Sequence, residues 1–325
     1  MKVLLAHTPE MRRNYYGDRS LNGLRAIADV ILHEGDQALD SASLVNAAKD
    51  ADIIVADRMT EGRGEIFAQL PHLRAFVRCA VDIRNVDVDA ASQAGVLVTR
   101  AGPGFVQAVA ELAVGFMVDL SRGVSRATAD YQAGRKPEAR MGRQLAGSTI
   151  GIIGYGSIGR YLAEIAKVMR MEVLVSDPYA DVSDSAIKQV GLDELLAASD
   201  YVVCLAIANE QTENLINEAV LAKMQTHAVF INLSRGNLVD EAALAAALRD
   251  NRIAGAAMDV GRAPDQMPSA ELAKLPNVIA TPHIGGLTPQ AIEHQALETV
   301  RQVAAIIKGE APVGAVNEEH WTRRP

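Results

Sequence analysis

Two cysteines in 325 residues cannot build a disulfide framework, and neither Cys79 nor Cys204 stands at metal-ligand spacing from a second cysteine or a histidine. Both sit in apolar, strand-like runs, so buried free thiols and no metal are the expectation. A basic surplus is missing too. The formal net charge is −8 and the pI near 5.4, which argues against nucleic acid or an anionic membrane as partner. No apolar run is long enough to cross a bilayer, because the longest, residues 108–120, is interrupted by Glu111 and Asp119. Nor does the chain open on a charged-then-apolar leader: Met1-Lys2-Val3-Leu4-Leu5-Ala6 runs straight into His7-Thr8-Pro9. A cytoplasmic protein is expected. Repeats and low-complexity segments are also lacking. What remains is a globular composition, 49% hydrophobic, at a length that exceeds the usual single domain and predicts two.

The most informative stretch is 148–177. Thr149-Ile150-Gly151-Ile152-Ile153 is an apolar run of strand length. Gly154-Tyr155-Gly156-Ser157-Ile158-Gly159 follows. Beyond it Ile158, Leu162, Ile165, Ala166 and Met169 recur at helical spacing, with Arg160, Glu164, Lys167 and Arg170 elsewhere on the wheel. Val173-Leu174-Val175-Ser176 then forms a second strand that stops on Asp177. In such a βαβ unit Gly154 permits the tight turn, Gly156 lets a pyrophosphate approach the backbone, and Gly159 lets helix and strand pack closely. Free amides at Ser157 and Ile158, aligned with the helix dipole, favour phosphate charge. Asp177 suits the adenosine ribose hydroxyls and repels a 2′-phosphate, so the expected cofactor is NAD. A bare glycine pattern can serve packing alone; the flanking strand, helix and spaced acid make dinucleotide binding the better reading.

Taken in order, residues 1–98 alternate helical patterns with strand candidates at 3–6, 53–56, 75–77 and 96–98, a small α/β layer. Gly102-Pro103-Gly104 breaks the chain before a long apolar-faced helix from about Phe105 to Ser121. After a polar loop at 131–147 and the glycine motif, strand candidates resume at 201–207, 229–233, 253–258 and 278–280, separated by helices such as Glu241–Arg249. The last helix, from Pro289 to about Lys308, leaves that sheet and returns to the first layer. The fold class is thus α/β with two domains: a Rossmann-type doubly wound parallel sheet, residues 100–288, inserted into a smaller, discontinuous, flavodoxin-like α/β domain, residues 1–99 and 289–325.

Ligands of open α/β sheets sit beyond the carboxyl ends of the strands. The polar residues there are Asn232-Leu233-Ser234-Arg235-Gly236, Asp259, and Thr281-Pro282-His283-Ile284-Gly285-Gly286, all on the edge of the phosphate turn. Hydride removal from a carbinol carbon needs a base for the hydroxyl proton, and histidine titrates near neutrality. A guanidinium fork can hold a carboxylate and polarise the neighbouring carbonyl. Together these describe oxidation of a 2-hydroxy acid or reduction of a 2-oxo acid, with His283 as acid/base and Arg235 as substrate clamp. The blander readings are a surface or core histidine, a structural ion pair at Arg235 and a loop cap at Asp259. Candidate cofactor contacts are Gly154, Gly156, Ser157, Ile158, Gly159 and Asp177, with Leu233, Ser234, Arg235, Asp259, His283, Gly285 and Gly286 at the neighbouring strand ends.

Those motifs in that order, with Val239-Asp240-Glu241 and Ala256-Ala257-Met258-Asp259-Val260, resemble the D-isomer-specific 2-hydroxyacid dehydrogenases over nearly the whole chain. The resemblance implies that Arg235 binds substrate, His283 is the acid/base and Asp259 binds the nicotinamide carboxamide. It further implies a substrate held in a cleft and a homodimer formed through the cofactor domain. Departures are visible. The family's histidine-orienting glutamate is absent from Gly261-Arg262-Ala263-Pro264-Asp265-Gln266, where Asp265 is the nearest substitute. The family's glycine-rich substrate loop is Cys79-Ala80-Val81-Asp82-Ile83-Arg84-Asn85, making Ala80, Val81 and Asp82 candidate substrate contacts. Asp82 replaces a glycine, and either turns away to pair with Arg84 or another arginine, or selects substrates bearing a donor. Leu205 and Ile207 replace the histidine and proline of the family's His-x-Pro strand end. The missing glutamate keeps a second class open, an NAD(H)-responsive regulatory protein with little turnover.

Overall fold

In the computed structural model, every strand pair in both sheets is parallel, which explains why the strands read as short apolar runs: helices cover both faces. All residues are described except Pro264 and Asp265. The chain divides into two compact units, 1–104 with 289–325, and 105–288.

The smaller unit begins β1 (Lys2–Leu5), α1 (Pro9–Tyr15), α2 (Gly17–Arg25), β2 (Asp29–Leu32), α3 (Ser41–Ala48), β3 (Ile53–Ala56), α4 (Gly64–Gln69), β4 (Ala75–Arg78), α5 (Val88–Gln93) and β5 (Leu97–Arg100). Its sheet order is β2-β1-β3-β4-β5, the flavodoxin-like order. Successive residues of β1 feed opposite cores: Leu4 packs with Leu44, Phe67 and Phe76, whereas Val3 and Leu5 pack with Leu24, Val303 and Trp321. That is the strand period of two.

The larger unit continues with α6 (Val106–Arg122), α7 (Val124–Gln132), β6 (Thr149–Ile153), α8 (Ser157–Val168), β7 (Glu172–Ser176), β8 (Ile187–Gln189) and α9 (Leu192–Ala198). Next come β9 (Tyr201–Cys204), α10 (Glu218–Leu221), β10 (Val229–Asn232), α11 (Glu241–Arg249), β11 (Gly255–Met258), α12 (Ala270–Ala273) and β12 (Val278–Ala280). Seven strands lie in the order β12-β11-β10-β9-β6-β7-β8, reversing direction of growth at β6, beside the glycine turn. Ile150 and Ile152 face α6 and α8, while Ile153 and Val202 face the opposite core with Leu195 and Leu244.

Helix α13 (Pro289–Ile307) belongs to the smaller unit, where Ala296, Val303 and Ile306 are buried with β1, β3 and β4 residues. The first junction falls after Gly104, later than the expected 99, for two physical reasons. Strand β5 runs through Arg100, and the Gly102 N–H donates to Glu298 of α13 at 2.7 Å. Beyond this helix one antiparallel bridge forms, Thr99 with Ala315.

Candidate active site

The glycine turn is built as its spacing suggests. Gly154 has φ +98, and a Cβ there would lie 2.6 Å from the Ala206 amide nitrogen, so both backbone conformation and space demand glycine. Gly156 caps α8 without any side-chain bond, and among the described residues nothing lies within 4 Å of where its Cβ would be. Open space beside the uncapped first-turn amides at the positive end of the helix dipole is what a pyrophosphate requires. At Gly159 a Cβ would sit 2.3 Å from the Gly154 carbonyl oxygen, so this glycine lets the helix start close onto the turn itself. Ser157 is exposed and Ile158 half-buried.

Asp177, directly after β7, is tied to that turn. The Tyr155 N–H donates to Oδ2 at 2.7 Å and the Tyr179 N–H to Oδ1 at 2.8 Å. One carboxylate therefore fixes both the turn and the residues following β7. The sequence suggested only a ribose contact; the second role needs knowledge of which strand ends are neighbours.

At the next strand ends Asn232 organises the arginine loop. Its side-chain amide donates to the Arg235 carbonyl at 3.0 Å and its Oδ1 accepts from the Ser234 N–H at 3.1 Å. The Ser234 hydroxyl donates to the Ala206 carbonyl at 2.5 Å, so this loop rests on the residue that flanks Gly154. Arg235 is extended, φ −145 and ψ 154, with Nη1 donating to the Ser234 carbonyl at 2.7 Å. Leu233 is buried in the apolar core beside Tyr155.

Asp259, 2% exposed, holds the histidine loop. Its Oδ1 accepts from the Thr281 hydroxyl at 2.6 Å and the Ile284 N–H at 2.8 Å, and its Oδ2 from the Gly285 N–H at 2.8 Å. A carboxylate has about four acceptor positions, and three are taken by this loop. The loop-cap reading of Asp259 is thus present in full, and one acceptor position is left over. Inside the loop His283 has φ +55, a left-handed conformation uncommon for a side chain larger than glycine. Gly285 leaves room for the carboxylate, since a Cβ there would lie 2.9 Å from Asp259 Oδ2, and a Cβ at Gly286 would lie 3.2 Å from the Phe105 Cβ. Asp265, expected to orient His283, lies outside the described residues.

In the smaller unit the loop after β4 carries Ala80, Val81 and Asp82. Of the two alternatives for Asp82 the structure has the paired one: Arg84 donates through Nε to Oδ1 at 3.0 Å and through Nη2 to Oδ2 at 2.6 Å, and its own amide to Oδ1 at 3.0 Å. Among the described residues the amides of Ala80 and Val81 donate to no acceptor in the chain. Ile207 is 81% exposed. Both thiols are buried, and burial pushes each up to about 12, which leaves them protonated and unreactive. Among the described residues no group of acidic, histidine and cysteine side chains could hold a metal, and no helix is long and apolar enough to cross a membrane.

A seven-stranded parallel sheet with a glycine turn at its switch point, an acid on the second strand and an Asp-anchored histidine loop defines a dinucleotide-dependent oxidoreductase unit. Residues 114–285 match the family model described as D-isomer specific 2-hydroxyacid dehydrogenase, NAD binding domain. The chain is 33% identical over 316 residues to a glyoxylate reductase of Pyrococcus furiosus, covering 93% of each. It is 30% identical over 268 residues to a hydroxypyruvate reductase of Thermotoga maritima, covering 82% of this chain and 88% of that one. It also matches D-3-phosphoglycerate dehydrogenases, of which it spans about half the length. Among solved structures, D-lactate dehydrogenase with NAD+ from Lactobacillus jensenii superposes with a TM-score of 0.85 at 25% identity, over 97% of this chain and 99% of that one. The chain belongs to the D-isomer specific 2-hydroxyacid dehydrogenases, and its cofactor is NAD. These relatives are dehydrogenases and reductases; they lend nothing to a purely regulatory reading.

Proposed function

We propose that this dehydrogenase interconverts a small D-2-hydroxy acid and its 2-oxo acid with Arg235 and His283 as its working side chains. Gly154, Gly156 and the amides of Ser157 and Ile158 hold the pyrophosphate, and Asp177 accepts from the ribose hydroxyls. Bound NAD supplies the hydride acceptor. In oxidation His283 takes the hydroxyl proton on an imidazole nitrogen; in reduction its imidazolium returns a proton to the carbonyl oxygen. Arg235 binds the substrate carboxylate through its planar fork. We also propose that the amides of Ala80 and Val81, in the loop after β4, contact substrate. Asp259 acts by fixing the histidine loop and retains one acceptor position for the carboxamide.

The observation that carries this reading is the triple hydrogen bond from Thr281, Ile284 and Gly285 to buried Asp259. It holds His283 in a rare backbone conformation at the same strand edge as the phosphate turn, and a mere surface histidine has no need of such fixing. The test is turnover of a panel of 2-oxo acids, including glyoxylate, hydroxypyruvate and pyruvate, with NADH. No turnover above a His283→Ala control on any member would sink it. Asp265 is proposed to orient His283 in place of the family glutamate. An ion partner raises an imidazole pKa, so Asp265→Asn moves the acidic limb of the oxidation profile to lower pH; an unmoved limb assigns Asp265 to the loop alone. The assembly we propose is a cytoplasmic homodimer through the larger unit, supported by the exposure there of Tyr131 at 70% and Met141 at 101%. Sedimentation as a monomer at assay concentration would reject the dimer.

A further inference from the structure

Arg78, the last residue of β4, is 1% exposed, an unusual fate for a guanidinium. The structure shows how its charge is tolerated. Arginine has five N–H donors in a fixed fork, and all five are used. Nε donates to the Asp82 carbonyl at 3.2 Å. Nη1 donates to the carbonyls of Asp57 at 2.5 Å and Thr60 at 2.6 Å. Nη2 donates to the Arg58 carbonyl at 2.6 Å and to Asn85 Oδ1 at 2.5 Å. None of these acceptors is a carboxylate. The Asp57 carboxylate is instead committed to the Met59 and Thr60 amides and the Thr60 hydroxyl. The guanidinium thus binds main chain from two different loops, the turn after β3 and the loop after β4 that contains Ala80 to Asp82. Asn85 adds a second tie by donating to the Arg58 carbonyl at 3.3 Å.

Such an arrangement is expensive as a mere strut. A buried cation satisfied by carbonyls gives up its hydration, and well-packed apolar residues would hold a strand end at least as well. What the fork adds is position: one rigid plane sets the carbonyl of Asp82 against the 57–60 turn within hydrogen-bond tolerance. We propose that Arg78 is a positioning residue for substrate binding, holding the Ala80 and Val81 amides in the geometry that receives the 2-oxo acid carboxylate. The Asp82–Arg84 pair completes the device from outside, because it draws the Asp82 carboxylate to Arg84 while Arg78 draws the carbonyl inward. This rests on the proposal that the loop after β4 contacts substrate.

The experiment compares Arg78→Lys, Asn85→Ala and Val81→Trp with the 2-oxo acid that the wild type turns over best. Lysine keeps the charge but has three donors on a point cation, too few for five acceptors. Arg78→Lys is expected to raise KM for the oxo acid by about tenfold or more while kcat and the NADH Kd stay within about twofold, the pattern of lost uniform substrate binding. Asn85→Ala, which leaves the guanidinium in place, is expected to raise the same KM by about threefold. A folded Arg78→Lys with KM within twofold of wild type overturns the inference. Should that variant fail to fold, an unchanged KM in Asn85→Ala overturns it instead. Val81→Trp separates the two levels. A raised KM there, with neither of the other variants affected, rejects Arg78 as positioning residue and leaves the substrate loop standing; an unchanged KM in all three rejects the loop assignment along with it.

Discussion

Replacing Asp259 by asparagine is the most revealing single change, since its consequences can be worked out bond by bond. The amide oxygen can still accept from the Thr281 hydroxyl and the Ile284 N–H. Its NH2 group then faces the Gly285 N–H, whose nitrogen is 2.8 Å from Oδ2 in the wild type. One buried donor is left unsatisfied, at roughly 1–3 kcal/mol, and the two surviving bonds fall from charged to neutral strength, at about 1 kcal/mol each. Removing a buried charge returns part of this, so a net loss of about 3 kcal/mol is expected. For a unit of this size that lowers Tm by roughly 6–12 °C. The same loop carries His283, and a displacement of about 1 Å at a reacting group can cost of order 100-fold in rate. Scanning calorimetry, NADH titration and steady-state kinetics on the best substrate check the three parts. Asp259→Ala should move Tm and kcat in the same directions, which excludes a clash peculiar to the amide. A Tm within 2 °C of wild type together with kcat within twofold would refute the claim that this carboxylate holds the histidine loop.

Other consequences can be measured alongside. His283→Ala is expected to lose nearly all turnover while NADH binding stays within a fewfold, and near-normal kcat would reject His283 as acid/base. Asp177→Ser should raise the kcat/KM ratio of NADPH over NADH, by losing a carboxylate that repels the 2′-phosphate, and should also weaken NADH binding because the Tyr155 amide loses its acceptor; an unchanged ratio would remove Asp177 from cofactor choice. His7 is buried at the end of β1, and burial lowers it from 6.5 to about 4, with Arg12 and Arg78 also lowering it and Asp57 opposing. Because the unfolded chain binds this proton more tightly, the contribution is fully present above pH 6.5 and is lost as pH falls toward 4, amounting to about 3 kcal/mol. His7→Phe should flatten the stability curve in that window, and an equally steep acid limb would discard the assignment.

How far the sequence is legible differs by element. Thr149–Ile153, Ile53–Ala56 and Glu241–Arg249 begin and end where their patterns do: the two strands are apolar runs buried almost throughout, the first closed by Gly154, and the helix opens on the capping acid Asp240. Strand β2 goes unread, since at the sheet edge its four residues are half-buried or exposed, and β8 buries only Ile187. The glycine turn is legible because its chemistry is local. Asp259 is not, in its main role: its partners lie in the turn after β12, and only the β11–β12 pairing brings them together. Arg78 is the clearest omission. An arginine closing an apolar run reads as a strand end meeting solvent, and nothing in the sequence says that two loops fold over it. The Asp82–Arg84 pair was one of two outcomes that the sequence allowed, and choosing between them required coordinates.

The left-handed backbone of His283 sets the site against the stability of its own unit. A residue with a Cβ in this region gives up roughly 1–2 kcal/mol that glycine does not. His283→Gly therefore relieves strain while deleting the imidazole. A library of variants sorted for heat resistance alone would therefore enrich a substitution that the proposed acid/base role makes inactive. Histidine at a backbone position that favours glycine thus gives up durability for the imidazole that the proposed acid/base step needs.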